Sequence, residues 1–243
     1  MCEHTADRGS EPIVSLSVVP GIVANDFTRK ASDMSTTIDV YPSSARVPTF
    51  SELADTVQQV LVSQRSDRYF TQHVGDISDD EMRPSIERVV ESSDRSVMQR
   101  FDAETELLSF RGEDYGWASF AAVKSGFDFY FDDEPDPLDE WSHADVIAEY
   151  AERAEAIGTL QGFPFDRAAE VEWRWYLRMQ ATQPLHTRLL SGYVAVALAR
   201  LTNGFIHSDD GGVDYDRAPT DPETFLTSYP EWITREILGT PTS

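Results

Sequence analysis

Lysine is nearly absent from this chain. Lys30 and Lys124 are the two lysines among 20 basic residues, and 43 acidic residues give a formal net charge of −23 over 243 residues. Such a surface repels itself at low ionic strength, but at 1 M salt the Debye length falls to about 3 Å and the repulsion is screened. The composition therefore predicts a protein adapted to a salt-rich cytoplasm. The alternatives are an acidic surface that docks on a basic partner or imitates nucleic acid, and an ordinary acidic protein with arginine-favouring codons.

Other absences exclude several classes of protein. No cluster of Lys and Arg is present to neutralise phosphates, so neither nucleic acid nor an anionic membrane is an expected partner. Cys2 is the single cysteine, which excludes an intrachain disulfide and a cysteine-ligated zinc site. There is no run of 18 apolar residues and no basic segment followed by an apolar one, so we expect neither a membrane helix nor a signal peptide. The expected location is cytoplasmic.

Motifs of familiar enzyme chemistry are missing as well. The chain has no G-x-S-x-G, Walker A, G-x-G-x-x-G or H-E-x-x-H sequence, and so no nucleophile elbow, phosphate loop or zincin site. We therefore predict no catalytic residues and no cofactor beyond a divalent cation. An enzyme is the less favoured hypothesis.

Residues 1–33 differ from the rest of the chain because they are polar, mixed in charge and without periodicity. We interpret them as a disordered tail or as an extension ahead of a true start at Met34, and a native, partly ordered segment is the alternative. Residues 34–243 are expected to form a single domain, since hydrophobic residues make up 40% of the sequence and suffice for a sizeable core.

Alternating patterns predict the strands. Residues 36–41 alternate, residues 117–123 and 127–131 predict a hairpin with a turn at Lys124-Ser125-Gly126, and residues 170–179 alternate strictly over ten positions. In the last strand Trp173 and Trp175 are expected in the core and Tyr176 on the exposed face. Strict alternation with one apolar face is typical of antiparallel sheets.

Helical periods and caps predict the remaining elements. A capping box at residues 49–52 starts one helix, and further helices are expected at 143–157, at about 185–202 and at 221–238 with an interruption at Pro230. The predicted fold class is α+β, with a largely antiparallel sheet and three to four helices packed on one face.

The strongest candidate site is the acidic loop after the short strand at Phe205. It contains one imidazole and four carboxylates, namely His207, Asp209, Asp210, Asp214 and Asp216. Calcium, magnesium and manganese prefer such oxygen ligands on a glycine-containing loop, although the spacing does not match an EF-hand. The alternative is a solvated turn, since Asp is a common turn former.

The segment from Leu198 to Tyr229 resembles small bacterial and archaeal α+β proteins, some of the immunity type. The residues that carry it are Leu201 to Ile206, Ser208 to Gly211 and Asp214 to Arg217. The resemblance implies an inhibitor that binds another protein. Three hypotheses on function remain open, namely an interaction domain of a salt-adapted acidic proteome, a metal-dependent binding domain or hydrolase, and an immunity-like inhibitor. The sequence does not define an oligomeric state.

Overall fold

Seven strands and six α-helices make up the described part of the chain, residues 36–92, 95–99, 103–110, 114–133, 141–179, 183–209 and 219–238 of a computed structural model. In chain order they are β1 (Thr36–Tyr41), α1 (Phe50–Gln64), α2 (Arg68–His73), β2 (Ser85–Ser92), β3 (Arg95–Gln99), β4 (Tyr115–Phe120), β5 (Ser125–Asp132), α3 (His143–Ile157), α4 (Phe165–Glu170), β6 (Arg174–Met179), α5 (Leu185–Thr202), β7 (Phe205–Asp209) and α6 (Pro222–Leu238).

The strands form one sheet in the order β3-β2-β4-β5-β6-β1-β7, and each neighbouring pair is antiparallel. β3 is an edge strand, β2 lies between β3 and β4, and β4 pairs with β5 in a hairpin, whereas β1 lies between β6 and β7. The predicted α+β class with an antiparallel sheet is therefore confirmed.

Four helices, α1, α2, α5 and α6, pack on one face of the sheet and form the main core with its inward side chains. α5 is buried almost all round between Leu189 and Ala199, as expected of a helix enclosed by other elements. Among the described helices none is long and apolar enough to cross a membrane. The number of helices predicted for this face is thus correct.

Two further helices lie against the opposite face. Ile147 of α3 and Ala168 of α4 form a second, smaller core with Tyr41 of β1 and Phe205 of β7. Side chains alternate along a strand, so Tyr41 points away from Ile38 and Val40, which belong to the main core. The sequence patterns predicted α3 but neither α4 nor this second layer.

Local signals determine several helix ends as predicted. Thr49 accepts a hydrogen bond of 3.2 Å from the Glu52 amide, and the Glu52 carboxylate accepts one of 2.9 Å from the Thr49 amide, which completes the capping box of α1. α3 ends at Gly158 and α5 at Asn203, both in the left-handed conformation that favours these residue types.

The strand predicted over residues 170–179 is too long at its start. Glu170 is the last residue of α4, and β6 begins only at Arg174. The amide of Val171 bonds to the Ala168 carbonyl at 3.2 Å and thus turns the chain between helix and strand. The apolar alternation at Val171 and Trp173 reflects burial on either side of this turn rather than a pleated strand, although Trp173 does pack against the main core.

Two smaller predictions are also wrong. α6 continues through Pro230, because buried Tyr229 and Ile233 hold both halves of the helix against the core and offset the missing N–H. Gly126 lies in β5 rather than in the hairpin turn, which is made by a short 3₁₀ segment and by Lys124 at φ 49°. Gly126 is needed for another reason, since a Cβ there would lie 2.6 Å from the indole of Trp117.

Candidate functional site

One row of polar and aromatic side chains crosses five strands on the face opposite the main core. Tyr130 of β5 lies opposite Tyr176 of β6, which lies opposite Asp39 of β1, and Asp39 lies opposite His207 of β7. Tyr115 of β4 extends the row, with its ring 5.4 Å from that of Tyr130. The antiparallel register therefore brings together residues that are far apart in the sequence.

The tyrosine half of this row is partly exposed. The rings of Tyr130 and Tyr176 stack with centroids 4.8 Å apart and planes 10° apart, a geometry that stabilises aromatic pairs beyond their burial. Burial, followed by Asp128 and the two neighbouring tyrosines, raises the pKa of Tyr130 to about 12. The phenols therefore stay neutral near pH 7 and present both an apolar ring and a hydroxyl.

A second row runs beside the tyrosines. Trp117 of β4 lies opposite Glu87 of β2 on one side and Asp128 of β5 on the other, and its indole covers Gly126. Asp128 in turn lies opposite the exposed Arg178. We refer to the partly exposed side chains Tyr115, Trp117, Tyr130 and Tyr176 as the aromatic face.

The other half of the face is a partly buried ionic network centred on Arg174. Its Nε donates to Asp132 Oδ2 at 3.0 Å, and its Nη1 donates to the Tyr41 phenol at 2.8 Å and lies 3.6 Å from Asp39 Oδ1. Burial alone would lower the pKa of Arg174, but Tyr41, Asp39 and Asp132 together raise it. Arg174 therefore stays cationic and compensates Asp39, which is only 7% exposed.

α3 packs over β1 and β7 and adds two side chains to this network. The Tyr150 hydroxyl lies 3.1 Å from Nδ1 of His207, with the two rings 4.4 Å apart. His143, the first residue of α3, places Nε2 3.3 Å from the Ala168 carbonyl, and burial lowers its pKa. The neutral His143 imidazole therefore donates this hydrogen bond and joins α3 to α4.

The two halves of the face differ in what they offer to another molecule. The polar atoms around Arg174 are bonded within the fold, so this half fixes the strand register and the docking of α3. The aromatic face retains ring surface and hydroxyl groups that reach solvent. The arrangement is suited to contact with a partner at the tyrosine end and to rigidity at the Arg174 end.

The predicted metal-site residues are only partly described. His207 lies buried in the row beside Tyr150, and Asp209 is the last residue of β7. Asp210, Asp214 and Asp216 lie outside the described residues. Within the ranges that the structure describes, no group of three or more His, Cys, Asp and Glu side chains is arranged to hold a metal ion. The divalent-cation hypothesis stays a prediction.

Sequence reasoning missed the aromatic face as a unit. The alternation correctly placed Tyr176 on the exposed side of β6. The alternation does not indicate which strands are neighbours. The row of tyrosines forms only because β4, β5 and β6 lie side by side.

No protein-family model, curated protein or solved structure matches this chain. The resemblance of residues 198–229 to immunity-type proteins therefore stays a prediction, and the function is inferred from the chemistry of the site.

Proposed function

We propose that this chain is a non-catalytic interaction protein that binds a basic protein partner through its aromatic face. The observation that supports this proposal most directly is the partly exposed row of Tyr115, Tyr130 and Tyr176, in which Tyr130 stacks on Tyr176 and Tyr115 packs tilted against Tyr130. Tyrosine and tryptophan are enriched at protein interfaces because they offer a large contact area at low cost in side-chain entropy.

The charges around the aromatic face favour a basic partner. Three carboxylates, Glu87, Asp128 and Asp132, border it against two cations, the exposed Arg178 opposite Asp128 and Arg174 paired with Asp132. A partner arginine would stack on a tyrosine ring and pair with a neighbouring carboxylate. The net charge of −23 would accelerate the approach of such a partner.

The same charges argue against single-stranded nucleic acid. Platforms that stack bases are surrounded by basic side chains that follow the phosphates. Here the rings are bordered mainly by carboxylates, so a phosphate backbone would be repelled. A protein partner with exposed arginine satisfies both the aromatic and the electrostatic character of the face.

The rigidity of the face adds to the argument. Tyr130 and Tyr176 are held by their mutual stacking, and β6 is fixed at its start by Arg174 bonding to Asp132 and Tyr41. A preorganised surface loses less side-chain entropy when a partner binds.

Affinity capture from a native lysate at molar KCl, followed by binding measurements with the purified captured protein, tests the proposal. The variants are Tyr130→Ala with Tyr176→Ala, and separately Asp128→Asn, which leaves the rings in place. We expect the captured protein to be basic and the double variant to bind it about 30-fold more weakly, the effect of removing an interface hot spot. Asp128→Asn should weaken binding less.

Tyr69→Ala provides the matched control, because Tyr69 is a partly exposed tyrosine on α2 on the other side of the sheet. Circular dichroism and unfolding curves of each variant separate loss of binding from loss of fold. Capture of no basic protein, or equal binding by wild type, Tyr69→Ala and the aromatic-face variants, would refute the proposal.

A further inference from the structure

A pocket lies at the β7 edge of the sheet, away from the aromatic face. Its volume is about 510 Å³, within the roughly 300–1,000 Å³ typical of small-molecule sites. Its walls come from the end of α3, from β7, from the segment before α6 and from α6 itself. The apolar wall residues are Ile157, Ile206, Phe225, Tyr229 and Trp232.

Ile157 shows that the mouth of this pocket is apolar. It is the last residue of α3 and is 55% exposed. Phe225, Tyr229 and Trp232 of α6 are buried behind it. An exposed isoleucine that lines a pocket with buried aromatic walls is suited to contact with the apolar body of a ligand.

Arg235 supplies a positive charge at the same wall. It lies on the last turns of α6, is exposed, and forms no ion pair with any acid in the described ranges. Other arginines do have acid partners in this acidic chain. Arg200 of α5, for example, pairs with Glu223 of α6. An arginine that lines a pocket without an acid partner is available to an anionic group of a ligand.

We propose that this pocket binds a small monocarboxylate whose apolar body, a short alkyl chain or an aryl ring, packs on Trp232 and Ile157. The carboxylate pairs with Arg235, near the C-terminal end of α6. A single cation that has no acid partner among the described residues, with Glu231 on the same wall, matches one negative charge better than a phosphate dianion. This site does not depend on the binding proposed for the aromatic face.

Isothermal titration of the full chain with decanoate and with 4-phenylbutyrate, each compared with its neutral amide, tests this inference. We expect wild type to bind one of the two carboxylates at least about tenfold more tightly than its amide. Arg235→Gln should remove this preference and leave the affinity for the amide unchanged. Arg153→Gln, an exposed arginine on α3 paired with Glu149, is the matched control and should behave as wild type.

A second variant tests the pocket itself. Ser228 lies on the exposed side of α6 and lines the pocket, so Ser228→Trp should fill the space without disturbing the core. We expect it to abolish binding of carboxylate and amide alike while the unfolding midpoint stays near that of wild type. Absence of binding by wild type, an undiminished preference in Arg235→Gln, or undiminished binding by Ser228→Trp would overturn the proposal.

Discussion

Nη1 of Arg174 donates a hydrogen bond of 2.8 Å to the phenol of Tyr41 while it lies 3.6 Å from the carboxylate of Asp39. One guanidinium therefore joins β6 to β1 at the point where the buried acid needs compensation.

The first prediction concerns Arg174→Leu. Removing one partner of a fully buried ion pair costs about 3–5 kcal/mol. Arg174 retains 34% exposure, so we expect the free energy of unfolding to fall by a smaller amount, about 2–3 kcal/mol. Urea denaturation measures the difference. Adding Asp39→Asn should recover part of the loss, because the uncompensated charge is then gone.

Arg153→Leu is the control for that experiment, since its ion pair with Glu149 is exposed and should contribute less than about 1 kcal/mol. If Arg174→Leu and Arg153→Leu unfold at the same urea concentration, the network around Arg174 does not stabilise the fold as described.

The second prediction concerns alkaline pH. Burial raises the pKa of Tyr130 to about 12 and raises those of four other tyrosines, Tyr41, Tyr150, Tyr176 and Tyr193. A group whose pKa is raised by folding contributes its stability below its unfolded pKa, here about 10. That stability is lost as the pH rises toward the folded value.

We therefore expect the free energy of unfolding to decline from about pH 10 upward. Urea denaturation at intervals of about half a pH unit measures this decline. Tyr130→Phe should decline less steeply between pH 10 and 12. Tyrosinate absorbance that titrates near pH 10 for all tyrosines, in protein that is still folded, would contradict the expectation.

The third prediction concerns Gly192 in α5. Alanine ordinarily stabilises a helix interior by about 1 kcal/mol over glycine, but a Cβ at Gly192 would lie 2.2 Å from the ring of Tyr229 in α6. We expect Gly192→Ala to destabilise the protein by about 1–3 kcal/mol, the cost of overpacking. Thermal unfolding measures the change. Combining Gly192→Ala with Tyr229→Leu should cost less than the sum of the single effects, whereas strict additivity would place the clash elsewhere.

The fourth prediction concerns salt. The charge of −23 should make the folded state repel itself in dilute buffer, and molar KCl should screen that repulsion. The melting temperature should rise steeply between 0.1 and 2 M KCl. Sucrose at matched osmolality is the control, because it favours the folded state without screening charge. An equal melting temperature in dilute buffer and molar KCl would refute salt adaptation.

Sequence patterns predicted elements well where the determining contacts are local. The capping box at Thr49 and the stop at Asn203 act within a few residues, so α1 has the predicted start and α5 the predicted bounds. The predicted interruption at Pro230 was wrong because burial of Tyr229 and Ile233 overrides the local preference of proline. Propensity is a weak prior when tertiary packing opposes it.

The candidate site was less predictable because it depends on strand order. Tyr130 and Tyr176 stack only because β5 pairs with β6, and Asp39 faces His207 only because β1 pairs with β7. Alternation assigns a side chain to a face of its own strand and contains no information on the neighbouring strand. The aromatic face therefore had to come from the structure.

The position of β1 between β6 and β7 has a consequence for synthesis on the ribosome. β2 to β5 can pair soon after they emerge, but Tyr41 waits for Arg174, which lies 133 positions later in the chain. β1 therefore remains an unpaired, aggregation-prone strand through most of translation, and such long-range closure is slow. A chaperone that binds residues 36–41 of the nascent chain would cover this strand during the period in which it has no pairing partner.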